Sequence, residues 1–225
     1  MPEISVLISV YNGEEYIKDS IDSILEQTFP DFELIIVNDA STDRTKEIIE
    51  SYQDRRIRLF NFETNKGVGS ALKFGLTQVK GRYIAKADSD DINHPERLYK
   101  QKLFLDNHPD IALVKTLLEY FPHNEVVAKS QRFNYIKTVM ERQKNDITSS
   151  EEIEEKLYWY CCVPHTTIMG RTEAICSIGY EEIRIWEDYK LFYQMNKNGF
   201  KMATVPEVLV KVRVSESSVT ATTES

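Results

Sequence analysis

The chain has 225 residues, 41% of them hydrophobic and 28% charged, with a formal net charge of −8. Such a length and composition suit one globular domain with a sizeable core, or two small ones, and exclude disorder of the whole chain. The acidic balance argues against a nucleic-acid binder that works through a general basic field, and the longest apolar runs, 4–10 and 34–37, are far too short to cross a bilayer.

A strand pattern begins almost at the first residue with no basic segment before it, so no secretory signal is read and a cytoplasmic location is expected. Apolar runs of strand length then alternate with amphipathic segments of helix length: strand 4–10 and helix 15–27, strand 32–38 and helix 43–52, strand 57–61 and helix 67–79, strand 83–87 and helix 96–107. This alternation predicts βαβ units and an α/β fold with a mostly parallel sheet flanked by helices. Ile17, Ile21, Ile24 and Leu25 recur at helical spacing and form the buried stripe of the first helix. A strand is expected at 111–118, after which a polar stretch around Phe121-Pro122-His123-Asn124 breaks the rhythm. Helices follow at 149–156 (opening with a capping-box pattern), 171–178 and 187–198, then strands at 202–205 and 208–214. Residues 215–225, rich in Ser and Thr, are expected to be a mobile tail. No internal repeat and no convincing linker divides 1–214, which is read as a single domain.

Cys161, Cys162 and Cys176 form neither a disulfide framework nor a CxxC pair and are expected to be reduced and packed. Cys162 lies near His165, but its apolar surroundings, Trp159, Tyr160 and Val163, fit burial better than a nucleophile.

The chemistry-bearing residues fall at predicted strand ends. Asp88-Ser89-Asp90-Asp91 follows the strand at 83–87, on the edge where open α/β sheets bind ligands. Three clustered carboxylates suit Mg²⁺ or Mn²⁺ brought by a phosphate-bearing substrate. A solvated acidic turn before a helix is the competing reading. Tyr11 after the first strand and Asp39 after the second share that rim, where a ring and a carboxylate could stack on a base and accept its imide N–H. Asn12-Gly13 and Ser41-Thr42-Asp43 also read as a plain turn and cap. No Walker-type loop is present, and Gly67-Val68-Gly69 lacks the rest of a dinucleotide fingerprint. Lys66 beside it is either a phosphate neutraliser at a helix N-terminus or a plain surface lysine. Glu187-Asp188, after Trp186, is either a dipole-favoured first turn or the place of a general base.

Taken together, SVLISVYNGEEYIKDSIDSILEQTFPDFELIIVNDASTDRT, NKGVGSALKFGLTQVKGRYIAKADSDD, VPHTTIMGR and WEDYKLFYQM resemble glycosyltransferase family 2, the inverting group with the GT-A fold, over about residues 4–213. The resemblance implies a metal-dependent transfer of sugar from a nucleotide sugar, UDP-linked by expectation, to a hydroxyl of a saccharide or lipid-linked acceptor in cell-surface polysaccharide synthesis. It implies that residues 1–110 bind the nucleotide and 111–214 the acceptor. Tyr11 would lie against uracil, Asp39 would accept from its N3–H, Asp88 or Asp90 would reach the ribose, and Asp90 or Asp91, with Asp88 beside them, would hold the metal. Asp188 would be the base, Glu187 would orient the acceptor, and His165 and Trp186 would line the acceptor side, although a packed core histidine fits position 165 nearly as well. Relatives often close with Tyr-Arg-x-His; here Arg213 is kept, either facing the diphosphate or on the surface, and Ser215 replaces the histidine. Peripheral membrane contact is compatible with a lipid-linked acceptor. A non-catalytic relative and a nucleotidyltransferase are the alternatives, the latter disfavoured by the acidic residues after Tyr11.

Overall fold

The run ISVLISV becomes the central strand because both its faces are covered, as is usual where a parallel sheet has helices on each side. In the computed structural model, which describes residues 1–183 and 185–216, the first half comprises β1 (Ile4–Val10), α1 (Ile17–Leu25), β2 (Phe32–Asn38), α2 (Thr45–Glu50), β3 (Ile57–Asn61), α3 (Val68–Leu76), β4 (Tyr83–Lys86), β5 (Ile92–Asn93) and α4 (Arg97–Asn107). The second half comprises β6 (Ile111–Pro122), α5 (Glu125–Ala128), α6 (Gln131–Tyr135), a π-helical turn (Ile136–Met140), α7 (Glu141–Asn145), α8 (Ser150–Lys156), a 3₁₀ turn (His165–Thr167), β7 (Met169–Arg171), α9 (Thr172–Ile178), α10 (Glu187–Lys197) and β8 (Lys201–Val214).

The strands form one sheet in the order β3-β2-β1-β4-β7-β6-β8-β5. β3, β2, β1 and β4 are mutually parallel, whereas β7 runs antiparallel to both β4 and β6. The sheet is therefore parallel where the nucleotide motifs lie and mixed beyond β4, as expected. Successive side chains of β1 feed opposite cores. Ile4, Val6, Ile8 and Val10 pack with Ile17, Ile21 and Ile24 of α1, whereas Leu7 packs with Leu72 of α3 and Phe192 of α10. Each such burial contributes roughly 1.5–3 kcal/mol. The polar exception Ser5 donates to Glu33 Oε1 at 2.7 Å and accepts the Gly81 amide at 2.9 Å, so its hydroxyl is satisfied inside the sheet.

Several expectations need correction. The strands predicted at 202–205 and 208–214 are one strand, β8, whose parallel register against β6 shifts between Thr116 and Leu117, opposite Pro206 and Glu207; proline has no N–H to give the ladder there. The stretch at Phe121-Pro122 is the end of β6. The three residues of β7 and the helical run 125–145 went unread in the sequence. The capping box is present, with Ser149 accepting from the Glu152 amide at 3.1 Å and Glu152 accepting from the Ser149 amide at 3.2 Å. Of the expected tail, residues 217–225 lie outside the described residues, while the Ser215 and Glu216 carbonyls accept hydrogen bonds from Arg132. Only one cysteine is buried as expected: Cys162 is, Cys161 is half-buried, and Cys176 is exposed. Trp159, read as part of the apolar surroundings of Cys162, is 79% exposed. Among the described residues no helix is long and apolar enough to cross a membrane.

Candidate active site

The turns after β1, β2 and β3 meet the loop after β4 on one rim, because parallel pairing sets Val10 against Asn38 and Asn38 against Asn61. The first two turns are sewn together. Asn12 N donates to Ser41 Oγ at 2.9 Å, Asn12 Oδ1 accepts from Thr42 N at 2.8 Å, and Gly13 N donates to Thr45 Oγ1 at 2.8 Å. Asn12, Ala40 and Trp186, with φ of 51°, 59° and 70°, are the non-glycine residues of positive φ among the described residues. Left-handed backbone costs such residues about 1–2 kcal/mol each. Two of the three lie in these turns and the third opens α10, and strain of this kind collects at functional sites.

Tyr11 stands half-exposed on the rim. Asp39 beneath it is buried, and its two carboxylate oxygens accept the Lys66 and Gly67 amides, each at 2.8 Å. Those bonds tie β2 to the start of α3. Each carboxylate oxygen keeps a second lone pair, so a further donor can still be accepted. Gly67 has φ 88°, which a side chain would strain. Two residues on, a Cβ at Gly69 would lie 2.3 Å from the Glu181 carbonyl oxygen, so the segment before α10 rests directly on α3. Lys66 is exposed, its ammonium 4.9 Å from the Phe62 ring centroid.

The Asp88–Asp91 loop is braced from below by cations that the sequence reading missed. Lys86, fully buried, donates to the Ala87 carbonyl at 2.6 Å and to the Asp88 carboxylate. Burial pushes the Asp88 carboxyl up, but the Lys86 ammonium, joined by His165 and Arg97, holds it below the usual carboxylate range. Arg97, also buried, bonds the Lys86 carbonyl at 2.7 Å and the Ile168 carbonyl at 3.0 Å. Desolvation lowers its pKa to about 10, leaving it charged. Burial and the Asp88 charge push Asp90 up to about 6, and burial with both neighbours raises Asp91 well above the ordinary value.

Arg213 clamps the loop from above. Its amide donates to Asp91 Oδ1 at 2.9 Å and its Nε to the Asp90 carbonyl at 3.0 Å. Its guanidinium lies between the rings of Tyr16 and Phe121, 4.5 and 4.7 Å from their centroids. The arginine, read from sequence as facing the diphosphate or the surface, has only 11% of its side chain exposed and braces the acidic loop. Tyr16 is fixed in turn by a 2.8 Å hydrogen bond to His123 Nδ1.

Among the described residues no three His, Cys, Asp or Glu side chains converge as a ready cage. A cation carried by a diphosphate needs only one or two carboxylates. Asp91 Oδ2 fits that demand, being buried with no hydrogen-bond partner in an all-oxygen donor set with Asp90.

Glu187 and Asp188 open α10 behind Trp186. Asp188 Oδ1 accepts its neighbour's amide, Tyr189 N, at 2.6 Å, and the Cys161 thiol lies 3.9 Å from Oδ2. That thiol is pushed up to about 12 by burial and by Asp188, and so stays protonated. Burial raises Glu187 to about 7, with the Asp188 charge adding to it. His165 is half-buried with Nε2 2.7 Å from the Tyr180 hydroxyl. Burial and the Lys86 charge lower it to about 4, against the opposing pull of Asp188 and Asp88. The structure therefore brings the acidic loop, His165 and the start of α10 into one electrostatic neighbourhood. Tyr11 and Asp39 line the other end of the same rim.

An open sheet with nucleotide-type turns and an acidic loop at the ends of its parallel strands, continued by a mixed region carrying an acidic helix start, defines a GT-A glycosyltransferase fold. The chain belongs to glycosyl transferase family 2, whose profile matches residues 5–176. It is 34% identical over 219 residues to the putative glycosyltransferase EpsE of Bacillus subtilis, covering 94% of this chain and 73% of that one. It is 28% identical to the putative teichuronic acid biosynthesis glycosyltransferase TuaG of the same organism, covering 98% and 82%. Among solved structures, Staphylococcus aureus TarS 1–349 in complex with UDP-GlcNAc superposes with a TM-score of 0.78 at 22% identity, covering all of this chain and 62% of that one. The mannosyltransferase PcManGT of Pyrobaculum calidifontis, in complex with GDP-Man and Mn²⁺, has a TM-score of 0.73 at 17% identity, covering 96% and 58%. The chain thus spans about three fifths of these solved structures.

Proposed function

We propose that this chain transfers a sugar from a nucleotide sugar, most simply a UDP-sugar, to a hydroxyl of a saccharide or lipid-linked acceptor in polysaccharide synthesis, with inversion. The observation that carries the reading is Asp91 Oδ2, a buried carboxylate oxygen without a partner on the rim where Tyr11 and Asp39 also lie. Asp91 Oδ1 accepts from the Arg213 amide, and with the Asp88 and Asp90 charges beside it a bound cation would relieve the cost of its burial.

Tyr11 offers its face to the base and Asp39 its free lone pairs to the base N–H. Asp88, kept ionised by Lys86, is the ribose contact. Asp90 and Asp91 would hold Mg²⁺ or Mn²⁺, which when bound neutralises the leaving diphosphate. Asp188 takes the proton from the acceptor hydroxyl as it attacks the face opposite the leaving group, and Glu187 orients that hydroxyl. His165, neutral near pH 7 and held by Tyr180, lines the acceptor side as a hydrogen-bonding wall.

The test is thermal unfolding with UDP and Mn²⁺. Saturation at a hundred times Kd contributes about 2.7 kcal/mol, which for a chain of this size is a rise of roughly 5–10 °C, and EDTA should remove most of it. No shift with metal present sinks the nucleotide assignment.

A further inference from the structure

The chain has two tryptophans in all, Trp159 and Trp186, 79% and 55% exposed. From Trp186 at the head of α10 a line of rings runs away from the base along that helix. Trp186 lies 6.2 Å from Tyr189, Tyr189 6.2 Å from Tyr193, and Tyr193 6.0 Å from Tyr158, centroid to centroid. Trp159 follows Tyr158 directly, held at the end of α8 by its amide bond to the Lys156 carbonyl at 2.8 Å. Tyr158 and Trp186 are exposed, whereas Tyr189 and Tyr193 are half-buried and show the line only part of each ring; rings grouped in this way at a surface mark recognition sites.

Three observations choose the occupant. The line starts at the residue preceding Glu187 and Asp188, so whatever lies on it is led to the proposed base. The rings are Trp and Tyr, which join an apolar face to a polar tip and so suit a ligand with both C–H faces and hydroxyls. The flanking face of α8 exposes Glu151, Glu154 and Glu155, which repels an anionic membrane. We propose that this stripe is the acceptor track: a neutral saccharide chain stacks its ring faces along Tyr158, Tyr193 and Tyr189 and presents its terminal hydroxyl at Trp186. The proposal rests on the glycosyltransferase reading and specifies its acceptor as an oligomer longer than a disaccharide.

Because Trp186 heads the stripe and Trp159 directly follows Tyr158, the tryptophan emission reports on its two ends. A disaccharide and a hexasaccharide of N-acetylglucosamine and of glucose, both β-1,4-linked, are titrated while tryptophan emission and iodide quenching are followed. The expected result is a blue shift and protection from iodide, stronger for the hexasaccharide. Loss of one stacking ring in Tyr193→Ala or Tyr158→Ala should weaken hexasaccharide binding up to about tenfold, with the UDP–Mn²⁺ thermal shift unchanged. Tyr158→Ala removes a ring that is 53% exposed and so covers the case in which Tyr193→Ala fails to fold. Protection by no saccharide, or by anionic phosphatidylserine vesicles in place of saccharides, overturns the acceptor track. A UDP–Mn²⁺ shift without saccharide protection sinks the stripe alone, whereas protection without that shift sinks the nucleotide-sugar reading and leaves a saccharide site.

Discussion

Replacing Arg213 tests whether the acidic loop is held by its clamp. In Arg213→Met the two ring contacts, at 4.5 and 4.7 Å, are lost; each is worth roughly 0.5–2 kcal/mol, with the upper end applying to desolvated cations. The Nε bond to the Asp90 carbonyl adds about 1 kcal/mol. The pair with Asp19, whose side chain is 57% exposed, adds little. The sum is about 2–5 kcal/mol, or a fall in Tm of roughly 5–20 °C for a chain of this size. The backbone N–H that donates to Asp91 survives in every variant. Any change therefore belongs to the side chain. Arg213→Lys keeps the charge but neither the planar stacking nor the fork, so it should recover only part of the loss. The readouts are thermal unfolding and hydrogen exchange of the 88–91 amides by mass spectrometry, in which both variants should exchange faster. A lysine variant matching the parent in stability and exchange would refute the clamp.

Asp188→Asn should leave UDP binding intact and lower transfer by about 10²–10⁴-fold, the usual worth of a positioned base; turnover equal to the parent in a donor-release assay would remove it from that role. Gly67→Ala should cost about 1–2 kcal/mol in urea unfolding, because a side chain must be carried at φ 88°; an unchanged midpoint would contradict the strain argument. Glu187, raised to about 7 by burial, binds its proton more tightly folded than unfolded, so its contribution to stability is fully present below about 4.5 and lost as pH rises through about 7. Glu187→Gln should accordingly raise Tm relative to the parent at pH 8 and bring little gain at pH 4, and a uniform offset across that range would argue against the assignment.

The parallel half of the sheet was legible because its strands are unbroken apolar runs and its helices carry one clean stripe, as in Ile17, Ile21 and Ile24. The rim followed from it, since the ends of parallel strands must converge, and this set Tyr11, Asp39 and Asp88–Asp91 together. What stayed hidden depends on partners distant in sequence. The β7 strand has three residues, Met169, Gly170 and Arg171, and becomes a strand only between β4 and β6. Nothing local marks Lys86, Arg97 and Lys115 for burial, since such residues are seldom buried without partners. Their burial is set by acceptors elsewhere, such as the Ile168 carbonyl for Arg97 and the Lys144 carbonyl for Lys115. Arg213 looked like a strand-end surface residue for the same reason, since nothing local announces that Tyr16 and Phe121 will enclose it.

The contact at Gly69 has a consequence for exchanging parts between relatives. With no room for even a methyl beneath the Glu181 and Ile183 backbone, the loop leading to α10 and the head of α3 form a matched pair. A graft of a relative's loop before α10 onto this chain must either keep that backbone path or bring a different α3 with it, so the two are best exchanged together.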